Sequence, residues 1–533
     1  MRTGGLTVAR RTAAPALTFT RGLVLVGAAF VLLAFAMSAG TPATAVAWGS
    51  CTLATWCAGL LCLTAAVSGR TGLGLAQWKL GAWSLAWCAI TFGLATAVWS
   101  PVEQDAGAQL TTSSILRGLW LIAVAMTAWS AGYCVGPRRI AEKRAIRLTS
   151  ALRSRFTPSV RSPAVPWILY GIGTAARLAT VATTGRLGYV GDAAAAVSTA
   201  SGYQQVLAVA GYCAPLAVAA AALRVYRERA PGARLTLAIL FIAEVVYGAL
   251  AGGKSPFIMA VLAVVIPFTA ARRKVPKGIL AVAVVVFLAV IIPFTAAYRN
   301  AVHPGGISVT PGQGVSGAPA VFREFTASMS PSVLPKSLAY LAQRVQEIDG
   351  PAIIMQRTPR QIPYASPAQL PEALITDLIP RAVWSGKPIV EAGNLFSQQY
   401  YGSTGITYSA ISPAGDLYRH GGWVPVLAGM FLLGLVIRVL DDMLDVRNPH
   451  AVFLVILLFP TLVKAEDDWV SMFSGMPTVV LTWLAVTAFS FARQPRAASS
   501  AVLMRHWTSR SRPISSRPAT SPASESCPGP KQT

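Results

Sequence analysis

Arg381, Trp384 and Lys387 stand close together in the stretch DLIPRAVWSGKP, and Asp416, Tyr418, Arg419 and His420 follow in AGDLYRHGG. A guanidinium forks onto carboxylate or phosphate oxygens, and a Lys supplies a compact second positive charge. A Trp face stacks on a ring. Together these types suit a ligand in which a sugar is joined to a phosphate. Asp416 and, after it, His420 are the candidates for a general base that removes a hydroxyl proton, and Arg381 for a group that neutralises a departing anion. Asp416 alone would equally fit a turn or a helix cap. Arg299 and Lys254 are the next cations in line. The chain has four histidines and no His/Asp/Glu cluster with ligand spacing, so this chemistry calls for no metal and no cofactor.

A second pair is Arg177, inside the apolar stretch YGIGTAARLATVATTG, and Glu244, inside ILFIAEVVYGAL. They lie eight residues before Gly185 and Gly252, respectively. At helical rise that is about 12 Å from the end of each stretch. An ionisable group in an apolar span is expensive unless it meets a partner or water. The two are expected to pair or to line a common cavity; a purely structural ion pair is the plainer alternative. The turn GGKSPF follows, with Ser255 able to cap and Pro256 suited to a first helical position. A helix start beside Lys254 is a natural anion site, set against the alternative of an interfacial lysine extended along the membrane surface. Gly248–Ser255 also satisfies the letters of a nucleotide-binding P-loop. That motif needs a strand before it, and here an apolar helical stretch precedes it.

The elements that must position these residues are spans. Apolar residues make up 54% of the 533-residue chain and charged ones 12%, half the charge of an average soluble domain. The apolar residues fall in runs long enough to cross a bilayer as helices. Spans are expected near 22–39, 45–67, 80–99, 115–135, 164–184, 204–223, 235–252, 256–271, 278–297, 423–440, 451–465 and 470–491. The expected fold is an all-α polytopic membrane protein of about twelve helices. Residues 1–21 form a basic N-terminus, 22–297 and 423–491 the membrane part, 298–422 one large loop holding short helices, and 492–533 a basic, Ser- and Pro-rich disordered tail. Residues 22–37 resemble a signal sequence, yet a second apolar run begins at once, which favours an uncleaved span. The net charge of +25 does not point to nucleic acid, because the Lys and Arg lie between spans. Arg138, Arg139, Lys143, Arg144, Arg147, Arg153, Arg155 and Arg161 share one loop. The bias of basic residues towards the inner side then sets both termini in the cytoplasm and the large loop outside. The cysteines fall in apolar runs or the tail, with no disulfide framework.

Ile379–Pro388 reads I-P-R-x-x-W-x-x-K-P, Gly415–Tyr418 reads Gly-Asp-Leu-Tyr, and Gly421–Gly422 opens the next span. With Tyr298–Arg299, GGKSPF and a single late loop, these stretches resemble the Wzy-type O-antigen and oligosaccharide repeat-unit polymerases over roughly residues 165–490. The resemblance implies a glycosyltransferase in the cytoplasmic membrane. It would move a growing glycan from undecaprenyl pyrophosphate to a new lipid-linked repeat unit on the outer face. Arg381 and Lys387 would hold the pyrophosphate, with Trp384, Arg299, Lys254, Arg177, Glu244 and Arg419 around the substrate. Membrane lipids and polyprenyl-linked oligosaccharides would be the partners, with room for a chain-length regulator and a flippase. A flippase for lipid-linked sugars, a ligase with the same donor chemistry, and a non-catalytic scaffold are the competing readings.

Overall fold

The computed structural model describes residues 4–68, 73–99, 110–136, 155–185, 202–272, 274–291, 345–379, 392–403, 409–463 and 467–493, and a few single positions besides. Eleven helices among the described residues are long and apolar enough to cross a membrane. They are α1 (Gly4–Met37, apolar from Ala16), α2 (Pro42–Val67), α3 (Leu80–Val98), α4 (Thr112–Val135), α5 (Ala164–Thr184), α6 (Tyr203–Glu228), α7 (Ala233–Ala251), α8 (Lys254–Arg272) and α9 (Lys277–Thr295). After four short helices come α14 (Trp423–Met443) and α16 (Ser471–Ser490). The protein is an all-α, multi-pass membrane protein. Its spans coincide with the apolar runs, because in lipid a helix is what satisfies every backbone polar group within the segment.

One expected span differs. Residues 451–465 give α15 (Pro449–Leu462), shorter than its neighbours. At 1.5 Å rise this helix is about 21 Å long, against roughly 30 Å of hydrocarbon. It is buried continuously from Pro449 to Phe459. A helix enclosed by other helices never faces lipid, so the bilayer does not set its length. α1 departs in the other direction: its helix starts at Gly4, within the stretch read as a basic N-terminal segment.

Polar locks show how the helix ends are sorted. Asp441, near the C-terminal end of α14, accepts the backbone N–H groups of Leu80 (2.7 Å) and Gly81 (3.0 Å), which open α3, and the Tyr133 hydroxyl (2.8 Å) near the end of α4. One buried carboxylate thus caps a neighbouring helix, a role that a residue just before the helix ordinarily fills. Lys79 donates to the carbonyls of Asp441 and Leu444, so the cation and the C-terminal end of α14 satisfy each other. On the same face β1 (Phe156–Val160) pairs with β2 (Phe491–Arg493) in a two-stranded sheet.

At the opposite face lie the four short helices: α10 (Asp349–Arg357), α11 (Gln369–Leu378), α12 (Ala392–Tyr401) and α13 (Pro413–Arg419). Ile348, Ala352, Ile353 and Ile354 are buried, and Ser114 of α4 donates to Gln356 at 2.6 Å. The backbone of Ala352 passes close over Gly118. The late loop therefore contributes helices that dock into the bundle, as its apolar patches suggest. Because α14 leaves this loop face and α16 starts from it, α15 has to carry the chain across between them.

α4 and α14 cross at a pair of glycines. A Cβ on Gly132 would run into the Phe431 carbonyl, and one on Gly434 into the Trp129 carbonyl. Small residues on both helices let the backbones touch, which is how helices associate in lipid.

Candidate functional site

α13 is the shortest element at the loop face, and it positions the most. Its N-terminus is capped by the Ser412 hydroxyl, which accepts the Gly415 N–H at 3.1 Å, and Pro413 occupies the first turn. One turn on, Asp416 is 1% exposed. Arg419 donates from Nε to its Oδ1 at 2.8 Å, and the backbone N–H of Trp469 donates to its Oδ2 at 3.1 Å. Asp416 is therefore a held carboxylate: a guanidinium engages one oxygen and a backbone amide the other in a buried place. His420 donates from Nδ1 to the Asp416 carbonyl at 2.8 Å. A carbonyl only accepts, so Nδ1 carries a proton.

The segment that closes on Asp416 is KAEDDW, residues 464–469, of which 467–469 are described. Trp469 donates its indole N–H to the Gly429 carbonyl of α14 at 3.1 Å. Asp468 accepts from the Ser471 N–H (2.9 Å) and hydroxyl (2.5 Å) at the start of α16. Unlike Asp416, Asp468 keeps part of its surface open. Burial, together with the Asp416 charge and, less strongly, that of Asp467, pushes its carboxyl up to about 6 in spite of the Ser471 hydrogen bonds. KAEDDW was not singled out from the sequence. Three consecutive acidic residues between apolar runs of a strongly basic chain were the signal available.

Beside these carboxylates is an aromatic shelf. The rings of Tyr364 and Trp423 meet that of Tyr418 edge-on at 6.0 and 5.5 Å. Tyr364 is 41% and Trp423 36% exposed, while Tyr418 is sunk between them. Burial and the neighbouring Tyr364 hydroxyl push the Tyr418 phenol up to about 12, although the Arg117 cation pulls the other way. Gly421 and Gly422 adopt positive φ (137° and 75°), and a Cβ on Gly422 would press on the Tyr364 hydroxyl. Glycines here let the chain turn from α13 into α14 beneath the shelf.

Arg177 and Glu244 do pair. Two parallel N–H···O bonds of 2.8 and 2.6 Å join α5 to α7, with Glu244 fully buried and the Arg177 side chain 15% exposed. The guanidinium lies 3.8 Å over the Tyr247 ring. They are not brought to Asp416 by any of these contacts. Lys254 is half-buried in the first turn of α8. That helix begins at Lys254, so Ser255 and Pro256 fall inside its first turn, not at a cap and first position. Tyr298 closes the turn by donating to the Leu250 carbonyl at 2.6 Å, with its ring against Gly252. A helix, α7, precedes GGKS, so no P-loop forms there. Trp384 is exposed. Arg381, Lys387 and Arg299 lie outside the described residues, as does the tail from 494 onwards. Among the described residues no group of three or more His, Cys, Asp or Glu side chains could hold a metal. A cavity of about 40 Å³ under α13, lined by Cys88, Phe92, Met126, Trp129, Pro413 and Met430 among others, is apolar. It has room for a water molecule or two, not for a sugar.

Residues 188–445 match a family model described as a domain of unknown function (DUF8712). The match takes in Glu244, Lys254 and the Asp416–His420 helix. Arg177 and Asp468 fall outside it. No curated protein and no solved structure matches the chain.

Proposed function

We propose that this protein polymerises undecaprenyl-pyrophosphate-linked oligosaccharide repeat units into a surface polysaccharide, working at the outer face of the cytoplasmic membrane with both termini inside the cell. The observation that carries the reading is the carboxylate, guanidinium and imidazole of Asp416, Arg419 and His420, held at one membrane face beneath an exposed Tyr364–Trp423 shelf. Glycosyl transfer from a lipid pyrophosphate needs a base for the acceptor hydroxyl, cations for the departing diphosphate, and a surface on which a sugar ring can stack. Exposed Arg117 at the outer end of α4 adds a cation to Arg381 and Lys387 for that second task. A site carried by membrane-spanning helices also meets its polyprenyl carrier without extracting it from lipid.

The basic residues of the 136–163 loop support the orientation. A flippase would use Arg177 and Glu244 as a mid-membrane site, whereas these two groups neutralise one another. Deletion of the gene followed by gel analysis of surface glycan tests the proposal. Loss of the ladder with retention of single-unit species is expected. A normal ladder, or lipid-linked units accumulating on the inner leaflet, would exclude a polymerase.

A further inference from the structure

We infer that Asp468 is the proton acceptor of this site and that Asp416 is the residue that positions it, an inference that rests on the polymerase reading. The two carboxylates divide the work by their surroundings. Asp416 is almost wholly buried, held by Arg419 and by the Trp469 N–H from two sides. A group so held and so buried has no access to an incoming hydroxyl. Asp468 is anchored by Ser471 and is partly open. The residue that follows it is tied to both Asp416 and Gly429, which fixes the loop on α13 and α14. The charged and titratable groups around it are Asp416, with Arg419 and His420 attached, and Asp467; on α11, which packs against the start of α16, Glu372 is exposed. A carboxyl whose burial and like-charged neighbour bring it towards neutral pH is matched to general-base work.

In the step assigned to it, the acceptor hydroxyl oxygen forms a bond to the donor's anomeric carbon while its proton passes to the Asp468 carboxylate. The anomeric C–O bond to the pyrophosphate breaks, and its electron pair leaves on the phosphate oxygen. No oxidant, reductant or metal enters the balance.

The test uses membrane vesicles from a deletion strain that expresses the full chain, supplied with the lipid-linked repeat unit which that strain accumulates. Polymer is followed on gels from pH 5 to 8. Wild type should rise with pH through about 6 and then level. Asp468→Asn should lose roughly 10²-fold or more, the usual worth of a general base, and show no step at that pH. Asp468→Glu should recover part of the rate. Asp416→Asn removes the neighbouring charge and should move the step to lower pH, a shift that a merely structural role would not produce. Immunoblotting of the membranes checks insertion. Wild-type rates in Asp468→Asn, or an unchanged step in either Asn variant, overturn the assignment. If wild-type vesicles make no polymer, the polymerase reading itself fails. Infrared titration of the purified protein then decides the remaining point, since a protonated-carboxyl band that titrates in wild type and persists in Asp468→Asn would show that Asp468 is not the titrating group.

Discussion

Replacing Glu244 by Ala would leave the Arg177 guanidinium in the bundle about 12 Å from the end of its helix, lying over the Tyr247 face without its carboxylate. Glu244 is fully buried and takes both N–H···O bonds of the fork, so little water is in place to compensate. Removing one partner of such a pair costs about 3–5 kcal/mol, most of it the penalty of an uncompensated buried charge. That is about a fifth or more of the stability of an ordinary fold, about 5–15 kcal/mol. The single variants Glu244→Ala and Arg177→Ala should therefore lose folded protein, read as monodisperse material after detergent extraction and as a fall in unfolding temperature. The exchange Arg177→Glu with Glu244→Arg restores opposite charges and should recover most of the loss. The shortfall is the cation–π contact, about 0.5–2 kcal/mol, because the guanidinium would then start from α7. The double variant Arg177→Met, Glu244→Met separates structure from function. Replacing a buried ion pair by well-packed apolar groups is often neutral or stabilising, so a pair that serves only to join α5 to α7 leaves surface glycan unchanged. A pair that serves the transfer leaves a stable protein and a short or absent ladder. Single variants as stable as wild type, or an exchange no better than the worse single, would refute the energetic argument.

Other consequences can be checked with the same material. Gly434→Ala or Gly132→Ala drives a methyl into a helix carbonyl and should cost about 1–3 kcal/mol as overpacking, seen in thermal unfolding; a neutral Gly434→Ala would mean that α4 and α14 are not in contact. Asp441→Ala uncaps α3 and takes a hydrogen bond from the Tyr133 hydroxyl, a loss of about 0.5–2 kcal/mol for the cap alone; an unchanged unfolding temperature would mean that this carboxylate does not cap α3. The Asp468 carboxyl is raised in the folded protein, so folding favours its protonated form. That contribution is complete below the ordinary carboxylate range, near 4, and is lost as pH climbs through about 6. Asp468→Asn should accordingly match wild-type stability near pH 4 and exceed it increasingly up to pH 6, with a constant margin above; a margin independent of pH would contradict the raised value. Tyr418, pushed up to about 12, should be among the last tyrosines to ionise in an absorbance titration, and Tyr364→Phe, which removes the neighbouring hydroxyl, should bring it down.

What the sequence disclosed and withheld follows the reach of each physical signal. Spans are local: twenty apolar residues in a row are legible whatever surrounds them, and most of the expected spans stand close to their positions. α15 was harder, because hydropathy reports that a stretch avoids water and not whether lipid or protein replaces it. Arg177 and Glu244 were visible for the same local reason, as charges where charge is costly, and equal depth on parallel-running helices was enough to expect them to meet. Asp441 carries no such mark. It sits at a helix end among Arg438 and Asp442, where a charge is ordinary, and its partners at Leu80, Gly81 and Tyr133 are several hundred residues away in sequence. Asp468 was missed on similar grounds. A run of acids between spans is the usual composition of a solvated turn, and only the fold of α13 under that turn brings Asp416 near enough to raise the Asp468 carboxyl. Asp416 itself was picked out as a base from its place after a glycine and before an aromatic–cation run. The contacts that hold it are a guanidinium three residues on and an amide 53 residues on, and the second ties it to the segment that carries Asp468. A carboxylate's chemistry is set by what closes over it, and in a polytopic chain the closing segment arrives from another span.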